Sequence, residues 1–91
     1  MPGPKITVEG TPNPNAAKFT VDRTLVEGGS SVSYFDAEQA EGHVLAGALF
    51  GIAGVESLLI ADDFVTVTKS ASANWDDLVP QIQNAIKEIL S

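Results

Sequence analysis

The fold is decided by the stretch VESLLIADDFVTVTK, residues 55–69, in which two apolar runs flank a pair of aspartates. Val55–Ile60 and Phe64–Lys69 are each long enough for one strand and are rich in residues that favour strands. Asp62 and Asp63 form a short polar link of the kind that closes a hairpin. The stretch therefore predicts two antiparallel strands joined by a tight turn.

Two further strands are expected upstream of this hairpin. Lys5–Glu9 and Ala17–Asp22 both alternate apolar and polar residues, which is typical of half-buried strands. The segment 10–15 separates them, because proline lacks a ladder donor and asparagine favours turns. The segment 31–35 is at most a short extended piece. We therefore expect strands one and two to pair antiparallel across a wide, proline-rich loop.

Two helices complete the pattern. The first is expected to begin at Asp36, a plausible N-cap, and it places Leu45, Leu49 and Ile52 on one buried stripe. The second is expected to start after Asn74, which can cap it, and its polar face carries acidic residues in the first turn. Its apolar residues follow the helical spacing throughout: Trp75, Leu78, Val79, Ile82, Ala85, Ile86, Ile89 and Leu90.

The length and the order of elements define the fold class. Ninety-one residues fit one domain, which we assign to residues 1–91. The order ββαββα predicts an α+β fold, with an antiparallel four-stranded sheet and both helices packed on one face.

Composition excludes several function classes. The chain has 5 basic against 12 acidic residues and a net charge of −7, which argues against nucleic-acid binding. With 0 cysteines it has no disulfide, thiol nucleophile or thiolate ligand for zinc or an iron–sulfur cluster. Val44–Val55, the longest run without a charge, is too short to span a bilayer. No apolar signal core follows Met1, so we expect a cytoplasmic protein that does not bind membranes.

Catalysis and resident cofactors are not expected either. His43 is the single histidine and would have to serve every acid–base role, whereas a catalytic triad needs a nucleophile, a base and an orienting group. Asp62 and Asp63 are better explained by turn chemistry than by cation binding, and Asp76 and Asp77 by the helix dipole. We therefore predict no catalytic residue, no metal ligand and no cofactor.

The proline-rich loop is the strongest candidate for a binding surface. Two prolines and two asparagines in five residues make a stiff loop with several amide donors and acceptors, and stiffness lowers the ordering cost of binding. Trp75 can be an interface anchor, but its place on the apolar stripe favours core packing. The predicted interaction surface combines the loop, a nearby lysine and the hairpin turn, which we expect to lie next to the loop: Thr11, Pro12, Asn13, Pro14, Asn15, Lys18, Asp62 and Asp63.

Three segments together resemble the N-terminal domain of the Nfu/NifU-type iron–sulfur cluster scaffolds. They are Thr11–Ala16 with Lys18 and Phe19, the block from Leu45 to Val55, and Asp63–Lys69 followed by Trp75. The resemblance runs from about Ile6 to Leu90 in the right order. It departs from the family at His43-Val44, where the family usually has Ser-Pro, and at Ala53, where it usually has Pro.

The resemblance implies a pathway rather than cluster chemistry. In full-length scaffolds a separate C-terminal domain carries the Cys-x-x-Cys pair that binds the cluster, and this sequence contains no cysteine. We therefore expect a stand-alone, monomeric and non-catalytic interaction module. Its expected partners are proteins that assemble or receive iron–sulfur clusters. The alternative is a small-ligand or iron-binding module that uses the loop amides, Lys18, His43 and carboxylates.

Overall fold

Alternating apolar and polar residues produce the strands of the structure, a computed structural model that describes residues 5–25 and 31–90. Within those residues the chain order is β1 (Ile6–Gly10), β2 (Ala16–Val21), β3 (Ser31–Tyr34), α1 (Val44–Phe50), β4 (Val55–Ala61), β5 (Phe64–Lys69) and α2 (Trp75–Leu90). The strands form one antiparallel sheet in the order β1-β2-β5-β4-β3. The ends of the predicted domain, residues 1–4 and 91, lie outside the described residues.

The hairpin predicted from residues 55–69 is confirmed. β4 and β5 pair antiparallel up to Ala61 and Phe64, which leaves Asp62 and Asp63 as the connecting residues. Asp62 adopts a left-handed φ of 40°, a conformation that aspartate tolerates better than most residues. The hairpin brings β5 to the centre of the sheet, where β2 pairs on its other side.

The expectation of four strands is wrong, because the described chain contains a fifth, β3. Ser31–Tyr34 pairs antiparallel with β4, so that Val32 lies opposite Ile60. The first three residues of β3 are exposed and carry no alternating pattern of burial. The pairing with β4, and not the local sequence, makes this segment a strand. The order of the described elements is therefore βββαββα.

The first helix begins later than predicted. Asp36 Oδ1 accepts a hydrogen bond from Gln39 N at 2.8 Å, as an N-cap would, but only turns follow it. Gly42, at a φ of 93°, has a backbone conformation that no helix continues through. α1 starts at Val44, and His43 is its N-cap, with Nδ1 accepting from Ala46 N at 3.1 Å.

Both helices cover the same face of the sheet, as predicted. In the described residues the buried side chains form one cluster, to which β2, β4, β5, α1 and α2 all contribute. Asn74 caps α2 as expected, with Oδ1 accepting from Asp76 N at 2.9 Å. Neither described helix has the length and apolarity needed to cross a bilayer. The buried residues are Ala17, Phe19, Val21, Ala40, Leu45, Ala46, Leu49, Leu58, Ile60, Val65, Val67, Leu78, Ile82 and Ile86.

Candidate functional site

The predicted interaction surface is split between two ends of the sheet. Thr11–Asn15 connects β1 to β2, and the register pairs Ala16 with Thr68 at that end. The turn at Asp62-Asp63 lies at the opposite end of β5, next to Thr20. Ala16 and Thr20 are four residues apart along β2, which sets the two ends about 13 Å from each other. The expectation that the loop and the turn are neighbours is therefore wrong.

The loop is held in shape by its own polar groups. Thr11 Oγ1 lies 2.9 Å from Asn13 O and accepts from Asn13 N at 3.2 Å. Asn13 Oδ1 accepts from Asn15 N at 2.9 Å, and Asn13 O accepts from Ala16 N at 3.0 Å. Pro12 and Pro14 fix two φ angles between these bonds. We call Thr11–Asn15 the braced loop, since its side chains bond inward while its prolines stay exposed.

Two residues from outside the loop anchor it to the rest of the fold. Trp75, at the start of α2, donates from Nε1 to Pro14 O at 3.0 Å, and its ring packs on Phe19 with centroids 6.5 Å apart. Lys69, at the end of β5, donates from Nζ to Asn15 Oδ1 at 3.1 Å and from its backbone N to Asn15 O at 2.8 Å. The loop is thus tied to both the sheet and the second helix.

Lys69 is a buried charged residue, since only 9% of its surface is exposed. No ion pair to Lys69 is found in residues 5–25 and 31–90, and the acceptors of its ammonium group are Asn15 Oδ1 and Ser70 O. The ring of Trp75 lies 6.0 Å from Nζ and adds a cation–π contact. A charge buried in this way is stabilised only while its acceptors stay in place, so Lys69 and the braced loop fix each other.

An apolar cleft of about 270 Å³ opens beside the braced loop, between β1 and α2. We call it the edge cleft; its lining includes Val8, Pro14, Ala17, Trp75 and Val79. Val8 is 37% exposed, a large fraction for an apolar strand residue. The stiff, polar braced loop thus lies next to the shallow, apolar edge cleft, an arrangement that suits contact with another surface.

Lys18 belongs to a different surface from the loop. It alternates with the buried Ala17 and Phe19 on β2, so it lies on the sheet face that no described helix covers. There its ammonium group stands 4.3 Å from the centroid of the Phe64 ring, and its cross-strand neighbour is Glu9. Lys18 therefore does not join the braced loop in one site.

The groups invoked for iron binding are also kept apart. His43 Nδ1 is engaged by the backbone of α1, and its ring lies 5.6 Å from that of Tyr34. In the part of the chain that the structure describes, no three His, Asp or Glu side chains converge to hold a metal ion. The arrangement offers contact surfaces, and no observation favours the iron-binding alternative.

Sequence reasoning missed Lys69 and underestimated Trp75. The sequence predicts Lys69 only as the end of a strand, because its partner Asn15 is 54 residues away and the pairing of β2 with β5 leaves no local signal. Trp75 is half-buried: its ring packs on the core as predicted, while its indole nitrogen reaches the loop. Asn13 and Asn15, which were predicted to offer amides to a partner, use their side chains inside the site.

Fold and site define a small α+β domain, with one sheet face covered by helices and a stiff loop at one end. The model of the family described as Scaffold protein Nfu/NifU N terminal matches residues 6–91. The chain therefore belongs to the Nfu/NifU N-terminal family, which confirms the resemblance found in the sequence.

Relatives and solved structures agree with this assignment. The mitochondrial NifU-like protein 4 of Arabidopsis thaliana is 36% identical over 86 residues, which cover 94% of this chain and 30% of that protein. A crystal structure of protein SAV1430 from Staphylococcus aureus superposes with a TM-score of 0.77 at 28% identity, covering 89% of this chain and 96% of that one. The solution structure of a NifU-like protein from Saccharomyces cerevisiae gives 0.77 at 29% identity, covering 94% and 77%. The chain thus spans about 30% of the length of the Arabidopsis relative.

Proposed function

We propose that the protein is a non-catalytic interaction domain of iron–sulfur cluster assembly, which contacts its partner through the braced loop and the edge cleft. Relatives of the chain are named iron–sulfur cluster scaffolds, among them a mitochondrial homologue of Drosophila persimilis at 28% identity. With 0 cysteines, this sequence supplies no thiolate to a cluster. In the proposal a separate polypeptide or domain holds the cluster, and this domain recognises a protein.

The observation that carries the proposal is the stiffness of an exposed loop. Surface loops are usually mobile, whereas this one is fixed by bonds from Thr11, Asn13, Lys69 and Trp75. Ordering a free side chain or loop at an interface costs about 0.5–1.5 kcal/mol per group. A loop that is already ordered avoids most of that cost, which favours a role in recognition over one as a simple connection.

The expected partner surface follows from the chemistry of this end of the molecule. An apolar side chain fits the edge cleft, and polar groups can meet the exposed backbone of the braced loop. The chain carries a net charge of −7, so a basic rim on the partner is favoured.

Quantitative affinity capture from an extract of the native organism tests the proposal. Pro12→Arg places a bulky cation on the exposed loop without removing any of its hydrogen bonds, so recovery of cluster-assembly or cluster-receiving proteins should fall at least about tenfold. Asn84→Arg, on an exposed position of α2, makes the same change of charge and should leave recovery unchanged. Capture of only unrelated proteins, or equal recovery with both variants, would refute the proposal.

The same capture separates the two ends of the sheet. Asp62→Asn combined with Asp63→Asn removes two charges from the turn while keeping residues that suit its backbone. If the braced loop alone carries the contact, this variant recovers partners as the natural chain does. A loss comparable to that of Pro12→Arg would place the contact at both ends and contradict the proposed surface.

The absence of a resident cluster has its own test. After anaerobic incubation with ferrous iron and sulfide, followed by desalting, the chain alone should retain no visible absorption. Calorimetric titration with ferrous iron alone should give no binding heat. Retained colour or saturable heat would favour the iron-binding alternative over the interaction domain.

Catalytic inactivity and a cytoplasmic location complete the proposal. Covalent catalysis depends on a nucleophile–base pair, and within residues 5–25 and 31–90 the single histidine uses Nδ1 to cap α1 and forms no hydrogen bond with a nucleophile. Turnover of a generic ester or phosphate substrate that is lost with His43→Ala would overturn the first point. Fractionation of cells with an antibody to the chain tests the second.

A further inference from the structure

β1 is an exposed edge of the sheet. It pairs with β2 on one side only, and its residues after Ile6 are all exposed. Exposed edge strands tend to pair with another strand unless charges, prolines or a covering element prevent it. In residues 5–25 and 31–90 no element covers this edge, so the question is what chemistry it presents.

Alternate residues of β2 form their backbone hydrogen bonds with β5 and with β1, and the bonds at the two ends of the β2–β5 pair show which residues do which. Lys69 N donates to Asn15 O at 2.8 Å, and Val21 N donates to Asp63 O at 2.7 Å, so the odd-numbered residues of β2 bond to β5. Consecutive residues of a strand direct their N–H and C=O groups to opposite sides. The even-numbered residues 16, 18 and 20 therefore bond towards β1.

This parity fixes which groups of β1 are free. Thr7 and Glu9 lie opposite the even-numbered residues of β2, so their backbone groups point into the sheet. The N–H and C=O groups of Ile6, Val8 and Gly10 point outward from the edge. Among the described residues, no turn, loop or cap hydrogen bond occupies them. The edge therefore presents unpaired backbone N–H and C=O groups at every second residue, ready to pair with another strand.

The sequence of this edge is complementary to itself. In an antiparallel pair centred on Thr7, Ile6 lies opposite Val8 of the second copy, and both use outward-pointing backbone groups. The same register places Lys5 opposite Glu9 of the second copy, and two-fold symmetry repeats that contact. These charges occupy positions without ladder hydrogen bonds, where opposed side chains are closest.

Other registers allowed by the parity lose this match. A pair centred on Val8 sets Lys5 opposite Thr11 and Glu9 opposite Thr7. Registers shifted by one residue would bring inward-pointing groups to the interface and form no ladder. Charge complementarity therefore favours β1 of a second copy as the partner strand, and it favours the register centred on Thr7.

We propose that β1 pairs with β1 of a second copy in this register, forming a two-fold dimer with a continuous sheet. Ile6 and Val8 then meet their counterparts on the helix-covered side, next to the edge cleft, where Val8 is 37% exposed in the single chain. Five residues of strand bury far less than the roughly 1,200–2,000 Å² of a stable interface. The dimer is therefore weak and forms at high local concentration; it replaces the monomer expected from the sequence and does not depend on the proposed function.

A charge exchange tests the pairing. Each of the two symmetric contacts joins residue 5 of one copy to residue 9 of the other. Lys5→Glu makes both residues of each contact acidic, and Glu9→Lys makes both basic, so two copies of the same variant should repel each other. Mixed together, the two variants restore both opposite-charge contacts. Sedimentation equilibrium up to about 1 mM should show self-association of the natural chain and at least about tenfold weaker association of each variant alone. Titration of one ¹⁵N-labelled variant with the other should give a heterodimer within about threefold of the natural affinity.

Matched controls keep the outcome decisive. Glu56→Lys, on an exposed position of β4, changes the net charge as Glu9→Lys does and should self-associate like the natural chain. Thermal melting identifies any variant that fails to fold, since Glu9 also lies opposite Lys18 within the chain. A natural chain that stays monomeric at about 1 mM, variants that associate normally, or a mixture that does not associate would each overturn the pairing.

Discussion

Gly54 gives a prediction whose magnitude can be worked from the structure. It follows α1, adopts a φ of 101°, and accepts a hydrogen bond from Ser70 N at 2.8 Å. A Cβ placed on Gly54 would lie 2.9 Å from Ala73 Cβ and 3.4 Å from Leu78 Cδ2. This close approach seats the start of α2, and with it Trp75, against the start of β4.

Alanine substitutions at three glycines separate the cost of backbone strain from the cost of steric overlap in the free energy of unfolding. Gly42→Ala introduces strain alone, because φ is 93° and nothing lies within 4 Å of the new Cβ. That strain costs about 1–2 kcal/mol. Gly54→Ala adds a steric overlap with Ala73 that costs about 1–2 kcal/mol more, for a total of roughly 2–4 kcal/mol. Gly10→Ala meets neither problem, so the free energy of unfolding should stay within about 1 kcal/mol of the natural chain.

Urea unfolding of the three variants measures these differences. At about 4–8 °C per kcal/mol for a domain of this size, Gly54→Ala should lower Tm by roughly 8–32 °C. Adding Ala73→Gly removes the overlap, so Gly54→Ala should then cost only what Gly42→Ala costs. Equal destabilisation by Gly42→Ala and Gly54→Ala would refute the close approach, and two neutral variants would refute the backbone strain as well.

Substitutions at three further positions test the anchors and the core. Trp75→Phe keeps the ring packing but removes the bond to Pro14 O, so it should cost about 0.5–1.5 kcal/mol and accelerate hydrogen exchange in the braced loop; unchanged exchange would show that the indole does not brace it. His43→Ala removes the cap of α1 and should cost about 1 kcal/mol in thermal unfolding, whereas His43→Asn restores most of it; equal losses would exclude capping as the cause. Phe19→Ala empties a fully buried site at the centre of the core and should cost about 3–5 kcal/mol in urea unfolding, so a loss below 1 kcal/mol would contradict the packing described.

Most of the fold could be predicted because its elements carry their own signals. Alternation in β2, the strand-favouring residues of β5 and the helical spacing of α2 are local patterns, and the structure confirms all three elements. β3 could not be predicted as a strand, because its first three residues are exposed and only its pairing with β4 defines it. The start of α1 was placed too early because Asp36 is a good capping residue, while the backbone at Gly42 ends the turn that Asp36 begins.

The site was predicted less completely than the fold. Stiffness of the proline–asparagine loop follows from its composition, and its internal bonds agree with that expectation. Adjacency of the loop and the Asp62-Asp63 turn could not be judged without the register of β2 against β5, which sets them at opposite ends. Lys69 was missed for the same reason, since its partner Asn15 is 54 residues away in sequence.

If the braced loop is the contact surface, the single tryptophan provides a direct reporter of it. The indole N–H of Trp75 bonds to Pro14 O and gives one isolated signal in a ¹⁵N spectrum. On titration with a purified cluster-assembly protein recovered by affinity capture, that signal and the backbone amides of Thr11, Asn13 and Asn15 should shift first and furthest. Shifts confined to the Asp62-Asp63 turn, or no shift at saturating partner, would contradict the account.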